Sequence, residues 1–139
     1  MEKELSVTLP LKIRFSEVDS MNIVWHGSYP LYLEDAREAF GARYGIAYLD
    51  IFGQGYYAPL VELSFKYKKP MVYGMNPQVT IRYCYTESAK LVFDYELRDT
   101  ADGSLLATAR SVQVFMDRNY QLVLGNPPFY ETWKKQWIG

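Results

Sequence analysis

The spacing of apolar residues changes period once, near residue 29, and that change limits the folds open to the chain. Tyr29, Tyr32, Leu33, Ala36 and Phe40 recur at i, i+3, i+4, i+7 and i+11, which is one face of an α-helix. Pro30 is tolerated because it falls in the first turn, where an N–H has no helical partner to lose. Gly41 and Gly45 mark the end, so the helix is expected from about Tyr29 to Tyr44, with a shorter helical turn over Ile46 to Phe52. After Tyr57 the period is two. Val61, Leu63, Phe65 and Tyr67 alternate with polar residues, as do Val79, Ile81, Tyr83 and Tyr85, and then Leu91, Phe93, Tyr95 and Leu97. A turn at DTADG precedes a long strand from Leu105 to Met116, and a short last strand is expected at Tyr120 to Leu124. Leu5 to Phe15 also alternate, which predicts an opening strand that Pro10 confines to a sheet edge or a bulge. A brief helix after Pro128, with Phe129, Trp133 and Trp137 four apart, closes the chain over a sheet end.

The order is therefore one strand, one long helix and a run of at least four antiparallel strands, an α+β arrangement. With 139 residues this is one domain, 1–139. One helix covers only one face of such a sheet, and the other face is not uniformly polar, so a partner subunit on the sheet or its edge is expected. Aromatic residues make up 17% of the chain, more than half of them Tyr, a residue suited to half-buried strands and interfaces.

Charge and rare residues exclude several functions. Fifteen Lys plus Arg against sixteen Asp plus Glu give a net charge of −1, so no global field draws the protein onto nucleic acid or an anionic membrane. A small basic patch for a compact phosphorylated ligand stays open. A single cysteine, Cys84, permits no internal disulfide, which fits a reducing cytoplasm, and it reads as a packing residue, not a nucleophile. The N-terminal stretch carries charges throughout, with no signal-like apolar run, and there is no 18-residue apolar segment, so no integral membrane contact is expected. One histidine, His26, rules out multi-histidine metal sites, and no phosphate-binding glycine fingerprint or nucleophile elbow is present. No metal and no cofactor are expected.

The chemistry concentrates between Arg14 and Arg37. Glu17 and Asp19 are carboxylates in a loop between a strand and a helix, where both could be aimed at a ligand; equally, an Asp there often just forms a turn through its own backbone bonds. His26, Gly27, Ser28 and Tyr29 lie at the helix start, with Ser28 a plausible N-cap, and their N–H groups point outward from the positive helix end, an anion or oxyanion site. Glu34 and Arg37, three apart, could be a solvated ion pair.

DSMNIVWHGSYPLYLEDAR, from Asp19 to Arg37, resembles the signature of the 4-hydroxybenzoyl-CoA thioesterase family of hotdog-fold proteins, and its His26 places it with the bacterial acyl-CoA thioesterase branch. The similarity continues through FKYKKPMVYG and covers nearly the whole chain; one departure is Met75-Asn76 after Gly74, where the family often has Asp. The resemblance implies a hotdog fold, in which a long central helix is wrapped by a five- or six-stranded antiparallel sheet. It also implies edge-to-edge homodimers that often pair into tetramers, with active sites at the dimer interface.

The function implied is hydrolysis of the thioester of a small or medium acyl-CoA, aliphatic or aromatic, to free acid and coenzyme A. Asp19 is then the nucleophile or general base, and the His26 N–H polarises the carbonyl. Trp25, Ser28 and Tyr29 are expected at the substrate, joined by Val61, Leu63 and Phe65 of the neighbouring subunit. Lys66, Lys68, Lys69 and Arg82 are the expected contacts of the coenzyme A phosphates by charge. Two alternatives remain: an acyl-carrier-protein thioesterase on the same fold, and a non-catalytic acyl-binding dimer.

Overall fold

A computed structural model describes residues 4–139. The long helix, α1, spans Tyr29–Tyr44, as its periodicity predicts, and Tyr29, Tyr32, Leu33, Ala36 and Phe40 are all buried. Gly45, at φ 74, closes it in the left-handed conformation and donates its N–H to the Gly41 carbonyl. The short helix α2 runs over Tyr48–Gly53, two residues later than expected, because the Asp50 carboxylate caps the Ala47 N–H at 2.9 Å.

Among the described residues seven strands form one antiparallel sheet: β1 Ser6–Pro10, β2 Tyr56–Tyr57, β3 Leu60–Tyr67, β4 Pro77–Cys84, β5 Lys90–Asp99, β6 Leu105–Asp117 and β7 Leu122–Val123. The count exceeds the expected five or six because β2 and β7 are two-residue strands, paired to the far end of β6. The main path is β1-β4-β5-β6, and β3 pairs with β6 beyond it. In register, Val7 faces Ile81, Ile81 faces Tyr95, Tyr95 faces Ala109 and Ala109 faces Phe65, so one row crosses the sheet beneath α1. Val79, Ile81, Leu91, Phe93, Tyr95 and Leu97 are buried with α1 as one core. A third helix, α3 (Pro128–Trp137), adds Tyr130 and Trp133, and the Trp133 indole N–H donates to the Tyr44 carbonyl at 2.7 Å, tying the two helices together.

Two strands depart from simple alternation. β1 stops at Pro10, short of the expected Phe15. Leu11 and Ile13 stay buried past its end, whereas Phe15 turns out to 75% exposure. In β3 the register slips between Leu60 and Glu62, so Val61 occupies a bulge and Leu60, Leu63, Phe65 and Tyr67 share the α1 side instead. Within the described residues no strand pairs with the outer edge of β3, whose Leu60, Val61, Leu63 and Tyr67 are exposed. No described helix is long and apolar enough to cross a membrane.

Candidate active site

The loop from β1 to α1 is a small folded-back ribbon. Val18 bridges Val24, and Asp19 donates its N–H to the Ile23 carbonyl at 2.8 Å. The ribbon is pinned to the segment before β4, where Val24 donates to the Met71 carbonyl and Ile23 bridges Val72. Inside it, Asp19 Oδ1 accepts the N–H groups of Met21 (2.8 Å) and Ile23 (3.2 Å), which lets Asn22 adopt φ 66. The turn-forming role of this aspartate is therefore real, and it engages one oxygen. Oδ2 accepts no hydrogen bond among the described residues.

Glu17 is engaged within the protein. Its carboxylate accepts the Tyr32 hydroxyl (2.9 Å) and the Arg14 N–H (2.8 Å), while its carbonyl accepts the Trp25 N–H (2.9 Å) and the Ser28 hydroxyl (3.1 Å). One residue thus fastens the Asp19 ribbon to the first turns of α1. Burial, then the bond to the Glu17 carboxylate, push the Tyr32 phenol well above its usual range, so it stays a donor. This tie lay in the sequence as the position of Glu17 two residues before Asp19, but nothing in spacing alone reveals Tyr32 as its partner.

A 3₁₀ turn over His26–Ser28 leads into α1. Ser28 occupies the N-cap position of α1, as expected, but its side chain does no capping. It is helical (φ −85, ψ −22), it caps nothing, and its side chain is buried with the hydroxyl on Glu17. Its own N–H goes to the Trp25 carbonyl at 2.8 Å, whereas the N–H groups of His26 and Gly27 donate to no acceptor among the described residues. These two N–H groups stand at the positive end of a 16-residue helix. The Trp25 ring, half exposed, lies across Gly27 so closely that a Cβ there would overlap it, and its centroid is 5.1 Å from that of the His26 ring.

Next to this turn is an open cleft of about 290 Å³. Ile23, Val24, Tyr29 and Tyr67 form apolar walls, His26 lies at one side, and Lys68 and Lys69 lie at another. The Tyr29 ring packs edge-on to Tyr67 (4.9 Å) and Phe65 (5.9 Å). Burial raises the Tyr29 phenol above its usual value, with the nearby Tyr67 adding to it. His26, Tyr29, Lys68 and Lys69 are thus brought together. Asp19 stands outside this lining, joined to it through Ile23, and Val61 and Leu63 lie farther along β3. Lys66 and Arg82 do not join Lys68 and Lys69: they flank a groove on the opposite face of the sheet, where Arg82 is paired with Glu4 (3.2 Å) and Glu96 (3.4 Å). Among the described residues no group of three or more His, Cys, Asp or Glu is placed to hold a metal ion.

The profile of the thioesterase-like superfamily matches residues 13–133, a span that contains the ribbon, the turn and all of α1. The chain belongs to this superfamily. YneP of Bacillus subtilis (strain 168), which carries the provisional name acyl-CoA thioesterase, is 31% identical over 108 residues, 78% of each chain. Among solved structures, a DHNA-CoA thioesterase from Staphylococcus aureus superposes with a TM-score of 0.82 at 24% identity, covering 94% of this chain and 90% of that one; at this identity the likeness shows the fold. The hypothetical protein TT1821 from Thermus thermophilus superposes with a TM-score of 0.82 at 27% identity, covering 94% and 98%. The hotdog fold and the thioester-hydrolase family expected from the Asp19–Arg37 segment are both confirmed.

Proposed function

We propose that the protein hydrolyses acyl-CoA thioesters, with the free N–H groups of His26 and Gly27 as the oxyanion site and Asp19 as the reacting carboxylate. The observation that carries the reading is the pair of uncommitted N–H groups at the start of α1, beside an apolar cleft edged by Lys68 and Lys69. A thioester carbonyl oxygen placed on those groups gains most as it becomes an alkoxide, because both donors and the helix field are fixed before the reaction begins. Asp19 then either attacks the carbonyl carbon, expelling coenzyme A thiolate and leaving a mixed anhydride for water to cleave, or removes the proton from an attacking water. Either course yields the free acid and the thiol. After a single turnover in 18O water, label in the Asp19 carboxylate marks the anhydride route, since it enters only when water cleaves an anhydride at the Asp19 carbonyl.

Lys68 and Lys69 supply positive charge at the cleft for the phosphates of coenzyme A. The open β3 edge supports a homodimer: an eight-residue strand with exposed Leu60, Val61, Leu63 and Tyr67 is a template for pairing with its own copy. Phe65 and Leu63 of the partner subunit then approach the site from across the seam. The test is thiol release across short, medium, long and aromatic acyl-CoAs, with the same acyl group also offered on acyl carrier protein. Release from at least one acyl-CoA, faster than from its carrier-protein counterpart, supports the reading; thioester retained without free thiol refutes it.

A further inference from the structure

Gly27 is a glycine without a backbone reason to be one. Its φ lies outside the left-handed region that favours glycine, unlike that of Gly45. The reason is the Trp25 ring. The three atoms nearest to the place that a Gly27 Cβ would take are Cζ3, Cη2 and Cε3 of that ring, all within overlap distance, so the indole lies directly on the Gly27 Cα. The same indole meets the His26 ring, with centroids 5.1 Å apart and planes tilted by 48°. Yet Trp25 is 52% exposed and takes no part in the hydrophobic core, so core packing does not account for where its ring sits.

The turn below the ring gives this contact a use. A backbone N–H is ordinarily held in direction by the hydrogen bond it donates, and the N–H groups of His26 and Gly27 donate none among the described residues. Glycine also has the widest backbone freedom of any residue, so rotation of the peptide plane between His26 and Gly27 would carry the Gly27 N–H away from the start of α1 at little steric cost. The ring removes that freedom by contact. Trp25 is itself anchored at both backbone groups: its N–H donates to the Glu17 carbonyl at 2.9 Å, and its carbonyl accepts the Ser28 N–H at 2.8 Å. The indole thus presses on Gly27 from a residue tied to the Asp19 ribbon on one side and to α1 on the other.

Resting on the acyl-CoA thioesterase reading above, we infer that Trp25 is a positioning residue, whose indole clamps the His26–Gly27 peptide so that both free N–H groups stay aimed at the developing oxyanion. Donors fixed in advance are effective because nothing has to reorient as charge develops. Trp25 and Gly27 are then a matched pair: the glycine makes room for the ring, and the ring supplies the rigidity that glycine lacks. Trp25 acts on kcat through the turn, and acyl-CoA binding does not depend on it.

The test uses full-length protein carrying Trp25→Ala, Gly27→Ala or both, with two readouts. The first is thiol release from the best acyl-CoA. Deleting one oxyanion donor costs about 10²- to 10³-fold, so a donor that is only set loose should cost about 10- to 100-fold in kcat for Trp25→Ala, with KM within about twofold of the parent. Gly27→Ala alone should cost about tenfold or more, because its methyl displaces the ring. Added to Trp25→Ala, the same change should raise kcat, because alanine restricts a backbone that the ring no longer holds. The second readout is 15N relaxation of the Gly27 amide. Its order parameter should be about 0.85 without exchange broadening in the parent, and either below about 0.6 or exchange-broadened in Trp25→Ala. If Trp25→Ala does not fold, both are read on Trp25→Leu. A neutral Gly27→Ala, additive losses in the double variant, a KM rise without loss of kcat, or a Gly27 amide as rigid in Trp25→Ala as in the parent overturns the proposal, and each leaves thioester hydrolysis by the parent standing. A parent protein that releases no thiol from any acyl-CoA refutes the thioesterase reading itself, and the catalytic role of the clamp with it.

Discussion

Replacing Tyr32 with Phe removes one oxygen, and its effect can be worked from the structure. Tyr32 is 2% exposed and its hydroxyl donates to the Glu17 carboxylate at 2.9 Å. A hydrogen bond to a charged acceptor contributes about 1.5–3 kcal/mol, and because Glu17 is only half-buried the lower figure applies. Unfolding entropy of roughly 2.1 cal/mol/K per residue gives about 0.3 kcal/mol/K for a chain of 139 residues, so the melting temperature should fall by about 5 °C. The carboxylate keeps the Arg14 N–H, and the Glu17 carbonyl keeps Trp25 and Ser28, so the ribbon loosens without detaching. Asp19, two residues from Glu17, then samples poorer geometry, which should lower kcat about tenfold with KM little changed. Glu17→Gln retains an acceptor for the phenol and should lose less. Scanning calorimetry and steady-state thiol release on the same preparations check both effects. A Tyr32→Phe protein that melts within 1 °C of the parent and turns over normally would refute the idea that this contact positions the site.

Other consequences follow from the same geometry. Lys68→Ala with Lys69→Ala should raise KM for acyl-CoA and weaken its salt dependence, whereas Arg82→Ala, already paired with Glu4 and Glu96, should leave KM near the parent value; titrations at two ionic strengths decide. The Cys84 thiol is pushed up from 9.0 to about 11 by burial and by the neighbouring Asp94 carboxylate, 3.3 Å away. At pH 8 that leaves roughly a hundredth of the thiolate of an ordinary cysteine, so alkylation should be slow and should accelerate as the pH rises through 11. Leu63→Lys places a charge on the open β3 edge and should yield monomers by analytical ultracentrifugation, with thiol release lost in parallel; an active monomer would contradict the shared site.

The elements that were legible in the sequence are those whose apolar residues all meet one surface. The α1 boundaries follow from Tyr29, Leu33 and Phe40 all facing the core, and β4 and β5 from strict alternation against it. β3 shows the limit. Its alternation suggests a strand with Val61 inward, but the bulge after Leu60 shifts the inward set, because register depends on the partner β6 and not on β3 alone. Ser28 shows another. A serine before a helix suggests a cap, yet the 3₁₀ turn carries it into helical geometry and Glu17 takes its hydroxyl. At the site, His26, Tyr29, Lys68 and Lys69 could be named because they sit near a period change or a charge cluster. That Lys66 and Arg82 lie on the other sheet face follows from pleat and register, which put Lys66 opposite Thr108 and Arg82 opposite Asp94.

The most direct test of the account is Asp19→Asn. The amide oxygen of Asn can still accept the N–H groups of Met21 and Ile23, so the turn that Asp19 forms is preserved and only the carboxylate is removed. With melting temperature and assembly state held at parent values, thiol release from the best acyl-CoA should fall by about 10²- to 10⁴-fold. Turnover within a few-fold of the parent would mean that Asp19 is only a turn residue, and the mechanism built on it would be wrong.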